Sequence, residues 1–490
     1  MHLNRLSLLN FKNIREAQLD FSPRINCFVG DNGTGKTNLL DAIHYLSMCK
    51  SAFGLSDSQC VRHGDEGFVV NGIYSTPTGR NETIVCTYQR GNAKKLSRGG
   101  KEYEKLSDHI GLLPIVMIAP SDTALINESG EERRRYLNSL ISQLDRDYLS
   151  ALIRYNHILA ERNKLLKNQG TANFNEILEV FDMQLAALGT ALHKRRRELI
   201  EELAPLAAQA YLKLSEDREQ VELTYRSELN ETPMDELLRL TRTKDLVNQF
   251  TTGGVHRDDI RMSIGGYPLR KYGSQGQQKS FLVALKLAQY DIVAAHCGHR
   301  PILLLDDIFD KLDMQRVEQL IGIVSDERFG QIFITDCNPT RLRTILDKAG
   351  GEYTLFTVAG GKIASDADPV QNREPRITGG PEPSDERMQQ PDAAGDPAVQ
   401  NTASTSETAI SEAAPPETGP SGTAVSDNAL PDSMSSQIVP SDSEAATSDK
   451  AGTESVSETT SPTDESRKEV PAEVTSTNPN PESDNTPEKP

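Results

Sequence analysis

Three short segments of this chain carry residue types suited to phosphate and metal chemistry. The first, Gly30-Asp31-Asn32-Gly33-Thr34-Gly35-Lys36-Thr37, fits the P-loop pattern G-x-x-x-x-G-K-[ST]. Glycines at that spacing let successive backbone N–H groups curl around a phosphate at the positive end of a following helix. Lys36 is then placed to reach the β- and γ-phosphates of ATP, and the Thr37 hydroxyl to bind Mg2+. The second, Ile302-Leu303-Leu304-Leu305-Asp306-Asp307, reads as a buried strand of the Walker B kind that delivers carboxylates to its end. Asp306 is expected to share the Mg2+ with Thr37, and Asp307 to polarise the attacking water, which makes Lys36 and Asp307 the catalytic candidates. Two adjacent carboxylates at a buried strand end repel one another unless a cation offsets them. In the third, Tyr272-Gly273-Ser274-Gln275-Gly276-Gln277-Gln278, a serine beside a glycine at a helix start offers a hydroxyl and free N–H groups to an anion. Each segment also has a plainer reading: a glycine turn before a helix, a core strand ending at a polar loop, and an ordinary helix cap.

The elements that must position these residues are of mixed type. Leu3 to Leu9, Ala17 to Phe21 and Ile25 to Val29 read as short strands, and an amphipathic helix follows the glycine-rich turn from about Lys36 to Ser47. Val69 to Tyr74, Thr83 to Arg90 and Ile115 to Ile118 suggest further strands. Apolar residues at Leu137, Ile141, Leu144, Tyr148, Leu152, Tyr155 and Leu159 then recur at helical spacing, and Phe174, Ile177, Phe181, Leu185, Leu188 and Leu192 repeat the pattern after a polar break. Two long helices joined by a short turn are expected, as a compact helical lobe or stubby arm. From Thr251 the α/β character returns, with a helix over Phe281 to Ala295 and strands at Ile302 to Leu305 and Gln331 to Thr335. The expected organisation is therefore an α/β ATPase head split by a helical insertion. Residues 1–125 form its first half, 126–250 the helical lobe, 251–365 the second half and 366–490 a disordered acidic tail.

Composition supports the division of head from tail. From Asp366 onward lie 25 of the 71 acidic residues, 7 of the 53 basic ones and 17 of the 26 prolines, so the charge of -18 belongs to the tail and the rest is balanced. A segment with no aromatic residue and scattered aliphatics buries too little apolar surface to offset its chain entropy. Six cysteines without close pairing or zinc-like spacing fit a reducing cytosol. No signal peptide is legible, and the longest mostly apolar stretch, Phe281 to Ala295, carries Lys286 and Asp291, so a soluble cytoplasmic protein is expected.

Placed shortly before a Walker B strand, Ser274-Gln275-Gly276-Gln277 resembles the signature motif of ABC-type ATPases. The resemblance implies that the signature of one subunit completes the ATP site of the other, with Ser274 and Gly276 on the γ-phosphate bound by the partner's P-loop. A wider set of segments is similar to the RecF family of bacterial recombination-mediator ATPases, in order over about the first 360 residues. They are Asn10-Phe11-Lys12-Asn13, the P-loop, Ala119-Pro120-Ser121-Asp122, Glu131-Glu132-Arg133-Arg134-Arg135-Tyr136-Leu137, Gly254-Val255-His256-Arg257-Asp258-Asp259, the signature and Leu305-Asp306-Asp307. This resemblance implies an ATP-dependent homodimer with slow, DNA-stimulated hydrolysis. It also implies binding to double-stranded and gapped DNA near single-strand junctions, and work with RecR and RecO in loading RecA. Asp313 resembles the carboxylate that lies across the dimer interface.

Three features depart from the family pattern. Lys12 stands where the family often has arginine, which forfeits bidentate phosphate contact if that residue touches ATP. The position called the switch falls at Thr335-Asp336, so no imidazole senses the γ-phosphate. The acidic tail has no counterpart. Two basic clusters, Arg133-Arg134-Arg135 and Lys194-Arg195-Arg196-Arg197, either contact DNA phosphates or form solvated helix faces paired with nearby glutamates. His256 and Arg257 either line the site or belong to the core. The chief rival function is the ATP-binding subunit of a transporter. Against it stand Ser-Gln-Gly-Gln in place of Ser-Gly-Gly-Gln and the separation of 265 positions from Thr37 to Ile302. An SMC-like or nuclease-linked ATPase needs a longer coiled coil, and a pure binding module would not need Lys36, Thr37, Asp306 and Asp307 intact.

Overall fold

Four runs with every residue buried, Ile25–Val29, Ile115–Ile118, Ile302–Asp306 and Ile332–Asp336, form four of the parallel strands of one sheet. Strands buried on both faces need mostly apolar residues, and these have them except at Asn26, Asp306, Thr335 and Asp336. The computed structural model describes residues 1–76, 79–215, 219–309, 314–349 and 352–365. The acidic tail and Asp313 lie outside the described residues.

The six-stranded sheet runs in the order Lys362–Ser365, Tyr353–Ala359, Ile25–Val29, Ile332–Asp336, Ile302–Asp306, Ile115–Ile118, with only the first strand antiparallel. Alternate residues serve opposite faces. Cys27, Val29, Leu303 and Leu305 join one core with the helices, whereas Phe28, Leu304 and Phe333 join another beneath an antiparallel sheet. That second sheet has the order Ile14–Asp20, His2–Phe11, Gly67–Ser75, Asn81–Gln89, Lys95–Arg98, Lys101–Glu102. Phe21, Phe28, Phe333 and Phe356 pack edge-on and tilted between the two sheets. The fold is an α/β P-loop ATPase head with inserted helices, as the sequence leads one to expect.

The inserted helices depart from expectation in two places. The stripe from Leu137 to Leu159 is not one helix: it breaks at Asp145 into Gly130–Leu144 and Arg146–Lys167. Asp145 leaves helical geometry and its carboxylate accepts the Tyr148 N–H at 2.9 Å, an N-cap that starts a new helix. The helix that follows is far longer than its apolar pattern, running unbroken over Phe174–Ser215 with Pro205 inside it. Its 42 residues span about 63 Å at the usual rise per residue. It packs along the later helix Gln275–Cys297, so it joins the lobe to the head.

Two buried arginines lock this insertion. Arg162 reaches Asp182 at 2.6 Å and Asp245 and Thr251 at 2.8 Å, tying Arg146–Lys167 to its neighbours. Arg196 bonds Asp258 at 2.7 Å, the Val255 carbonyl at 2.6 Å, Tyr148 at 3.0 Å and Asn138 at 2.9 Å. A small sheet, Tyr267–Pro268, Asp259–Ile264 and Val221–Arg226, lies beyond these contacts; its two longer strands alternate polar and apolar residues, a strand signal absent from the expectations above. Among the described residues, no helix is long and apolar enough to cross a membrane. All six cysteines are free.

Candidate functional site

The phosphate-binding candidates sit where parallel strands end, the usual place for a ligand in such sheets. Strand register explains the meeting. Val29 pairs with Asp336 and Asp306 pairs with Thr335, so three neighbouring strands stop at one level. The loop Gly30 to Gly35 leaves the first of them and enters helix Lys36–Met48, whose first turn holds no acidic residue to compete for its positive end.

Two glycines are required by geometry. A Cβ on Gly30 would stand 2.1 Å from the Val358 carbonyl oxygen. Gly35, at φ 110°, is the residue before the helix, and a Cβ there would meet the Asn13 amide at 2.6 Å. Asp31, Asn32 and Gly33 are exposed, Thr34 and Thr37 are half-buried, and Lys36 is buried. Lys36 Nζ donates to the Gly30 and Asp31 carbonyls at 2.7 and 2.8 Å, which curls the ammonium into the loop.

Thr37 Oγ1 donates to Asp306 Oδ1 at 2.9 Å and Oδ2 at 3.1 Å, so the structure brings the two metal candidates together across 269 positions of sequence. A hydroxyl beside a carboxylate is a hard-oxygen pair, the chemistry Mg2+ favours. Burial raises the Asp306 pKa above the ordinary carboxylate range, and neighbouring Asp307 raises it further. The hydrogen bonds from Thr335 and Thr37 and the charge of Lys36 pull the other way. A cation there would supply what these groups provide only in part. Asp307, Asp336 and Cys337 also place ligand atoms within 4.8 Å of one another. That set fits Mg2+ less well, because Cys337 offers soft sulfur and Asp336 already holds Arg341 at 2.8 Å.

Two residues of this neighbourhood take contacts that the sequence did not assign to them. Thr335 Oγ1 donates to Asp306 Oδ1 at 2.8 Å and accepts the Asp307 N–H at 2.9 Å, fixing the Asp306 carboxylate and the Asp307 backbone from the adjacent strand. Its signal was a lone hydroxyl at the end of the apolar run Ile332-Phe333-Ile334. Asn13 donates to the Thr34 carbonyl at 3.2 Å and accepts from Asn38 at 2.7 Å, bracing the loop from the first hairpin. Asp307 itself adopts φ 43°, a left-handed backbone that a non-glycine residue holds only under constraint. It lines one pocket with Pro120, Thr123 and Lys279, which brings the Ala119-Pro120 segment and the helix after the signature beside the Walker B strand.

The signature residues stand apart from the P-loop of their own chain. Ser274 caps helix Gln275–Cys297: its hydroxyl accepts the Gln277 N–H at 3.2 Å, and Gln277 Oε1 accepts the Ser274 N–H at 2.6 Å. Ser274 and Gln275 are exposed, and the Arg316 guanidinium lies 2.6 Å from where a Cβ on Gly276 would stand. Among the described residues, no hydrogen bond joins Ser274, Gln275, Gly276 or Gln277 to Gly30, Asp31, Asn32, Gly33, Thr34, Gly35, Lys36 or Thr37.

Other expectations change on the structure. Lys12 does not reach toward the phosphate loop: it pairs with buried Asp41 at 2.7 Å and lies over Phe53. Arg133 is bidentate to Asp259, Arg134 bonds the Asp258 carbonyl at 2.9 Å, and Arg135 pairs with Glu131 and Glu132. In the second cluster Lys194, Arg195 and Arg197 pair with acidic neighbours, whereas Arg196 is buried, which neither sequence reading anticipated.

His256 takes the core role. Its ring nitrogens meet Tyr155 Oη at 2.9 Å and the Thr251 carbonyl at 3.0 Å, while Arg257 is exposed against Phe250. Burial above all, with Arg257 and Arg134 adding, lowers its pKa from 6.5 to about 4. A lowered folded-state value contributes stability that is full above pH 6.5 and lost as pH falls toward about 4. The loss due to this histidine reaches about 2 kcal/mol near pH 5. Urea unfolding at neutral and acid pH should show it, with His256→Gln removing that part of the difference; an unchanged pH slope in the variant would refute the assignment.

Residues 2–354 match the family model described as RecF/RecN/SMC N terminal domain. A protein of Phocaeicola vulgatus named DNA replication and repair protein RecF is 46% identical over 364 residues, covering 74% of this chain and 98% of the relative. A protein of the same name from Parabacteroides distasonis is 47% identical over 363 residues, covering 74% and 99%. Among solved structures, the recombination mediator protein RecF-ATP in the RecFOR pathway superposes with a TM-score of 0.67 at 30% identity, over 74% of this chain and 97% of that one. The chain belongs to the RecF family of DNA replication and repair proteins, ATP-binding P-loop ATPases of the ABC and SMC superfamily.

Proposed function

We propose that this chain binds ATP and Mg2+ between two copies arranged head to tail, and that the closed pair holds DNA. The observation that carries the reading is the split site: Thr37 and Asp306 meet within one chain, while among the described residues the exposed, capped Ser274 makes no hydrogen bond to that chain's own loop. Gly30 to Thr37 would hold the triphosphate, with Lys36 on the β- and γ-phosphates and Thr37 and Asp306 on Mg2+. When bound, the metal neutralises charge developing on the transferred phosphoryl group. Asp307, pinned through its N–H by Thr335, orients the attacking water. Ser274 and Gly276, with Gln275 and Gln277 shaping the cap, complete the site of the partner.

The substrate side follows from the family. Double-stranded DNA, favoured where it is gapped and meets a single strand, is the proposed ligand, RecR and RecO the proposed partners, recombinase loading the purpose, and the cytoplasm the place. The solved relative comes from a RecFOR pathway, which supports that choice. Hydrolysis is proposed to be slow and stimulated by DNA. A transporter subunit is set aside, since relatives matched over nearly their whole length are DNA replication and repair proteins.

The test is the mass of the full chain in solution with and without ATP and Mg2+, then with a gapped duplex. The mass should double with nucleotide and the dimer should retain DNA; a nucleotide-bound monomer indifferent to DNA would overturn the reading. Lys36→Arg should keep nucleotide bound but lower turnover by about a hundredfold, the scale of losing one oriented donor to the transferring phosphate. Steady-state phosphate release measures it, and turnover equal to the wild type would remove Lys36 from the chemistry.

A further inference from the structure

The signature cap is tied to the helical lobe through one carboxylate. Gln277 Nε2 donates to Glu219 Oε1 at 2.5 Å, and Glu219 Oε2 accepts the Tyr211 hydroxyl at 2.6 Å. Tyr211 is fully buried near the end of the long helix Phe174–Ser215, its ring 6.4 Å from Phe281 of the signature helix. An amide has one donor end and one acceptor end, so whatever fixes one end fixes the other. An ionised carboxylate accepts only. With Nε2 held by Glu219, the Gln277 amide must present Oε1 to the Ser274 N–H, which is the bond the cap uses at 2.6 Å. Without Glu219 the amide is free to turn its NH2 toward that N–H, donor against donor.

We propose that Glu219 is a positioning residue for the shared ATP site: it sets the orientation of Gln277, and through it the Ser274 cap, while its other oxygen holds Tyr211 of the lobe's longest helix. A displacement of Phe174–Ser215 then reaches the face that meets the partner's nucleotide. The proposal rests on the two-subunit reading above.

The test uses the full chain carrying Glu219→Ala, with Glu219→Gln and Tyr211→Phe beside it. Without nucleotide, amide hydrogen exchange at the start of Gln275–Cys297 should rise about tenfold in Glu219→Ala, the equivalent of one hydrogen bond to a charged group. ATP-driven dimerisation should weaken by about the same factor, while nucleotide affinity at high dilution, where monomers prevail, stays at the wild-type value. Glu219→Gln keeps one acceptor and should recover part of the loss, which a general packing defect would not. Wild-type exchange and dimerisation in Glu219→Ala would overturn the proposal. Should that variant fail to fold, Tyr211→Phe and Glu219→Gln carry the test with smaller losses of dimer affinity, and wild-type behaviour in both overturns it. Ser274→Arg separates the two ideas. If it dimerises normally the shared site itself fails; if it is blocked while Glu219→Ala is unaffected, only the role of Glu219 fails.

Discussion

Ser274→Arg should abolish ATP-driven dimerisation of the full chain while each subunit still binds one nucleotide. The serine is exposed at the head of a helix, and its hydroxyl accepts the Gln277 N–H. Arginine removes that cap, worth about 1 kcal/mol, and sets a cation at the positive end of a helix, where charge of that sign is unfavourable. The larger effect is steric. A long side chain would fill the space a partner's triphosphate must enter, and dimer affinity should fall by more than about a hundredfold, or some 3 kcal/mol. Nucleotide binding survives because the Lys36, Thr37 and Asp306 contacts do not involve the signature of the same chain. Sedimentation with ATP and Mg2+ reads the first effect and nucleotide titration of the dilute protein the second. A normal ATP-bound dimer would end the composite-site interpretation.

The second large effect concerns stability. Arg196→Met should lower unfolding free energy by about 3–5 kcal/mol, the usual result of removing one partner from a buried ion pair. Methionine fits the aliphatic volume but leaves the Asp258 carboxylate, 1% exposed, without its cation. The Val255 carbonyl and Tyr148 hydroxyl lose their Arg196 donor as well, and Asn138 Oδ1 keeps only the Tyr148 hydroxyl. A loss of that size is a large share of the 5–15 kcal/mol that about any domain possesses. Denaturant midpoints check it, and Arg196→Met with Asp258→Asn should recover part of the loss, since no unpaired charge remains. A drop below about 1 kcal/mol in the single variant would mean that water reaches Asp258 after all.

The phosphate loop was legible in the sequence because its chemistry tolerates few alternatives: at Gly30 and Gly35 a side chain has nowhere to go. The Walker B strand was legible because burial on both faces demands an unbroken apolar run. Its neighbour Ile332–Asp336 was legible as a strand but its place in the sheet was not, since apolar pattern does not set strand order, and Thr335 matters only because its strand lies beside Asp306, 29 positions away. Arg196 was misread for a related reason. Within Lys194-Arg195-Arg196-Arg197 all four side chains look alike, and only helix phase against Asp258 picks out the one that turns inward. The break at Asp145 was hidden because apolar spacing continues across it, although aspartate before a helix start is a capping signal. Glu219 carried no local signal, for its partners lie 8 and 58 positions away.

The central strand Ile25–Val29 has a consequence for how the chain is made. Both of its neighbours, Ile332–Asp336 and Tyr353–Ala359, come from the far end of the described chain. During synthesis, with residues added at about 5–20 per second, this apolar segment leaves the ribosome early and waits tens of seconds for a partner. Pairings of such long sequence separation form late, because the loop must close before the contacts reward it. An apolar strand with both edges open is meanwhile a template for other chains. The antiparallel sheet from His2 to Glu102 is complete long before then and shares a core with Phe28 and Leu40. It is an early surface against which the waiting strand and its helix can shelter, which makes that sheet a nursery for the nucleotide loop as much as a layer of the finished head.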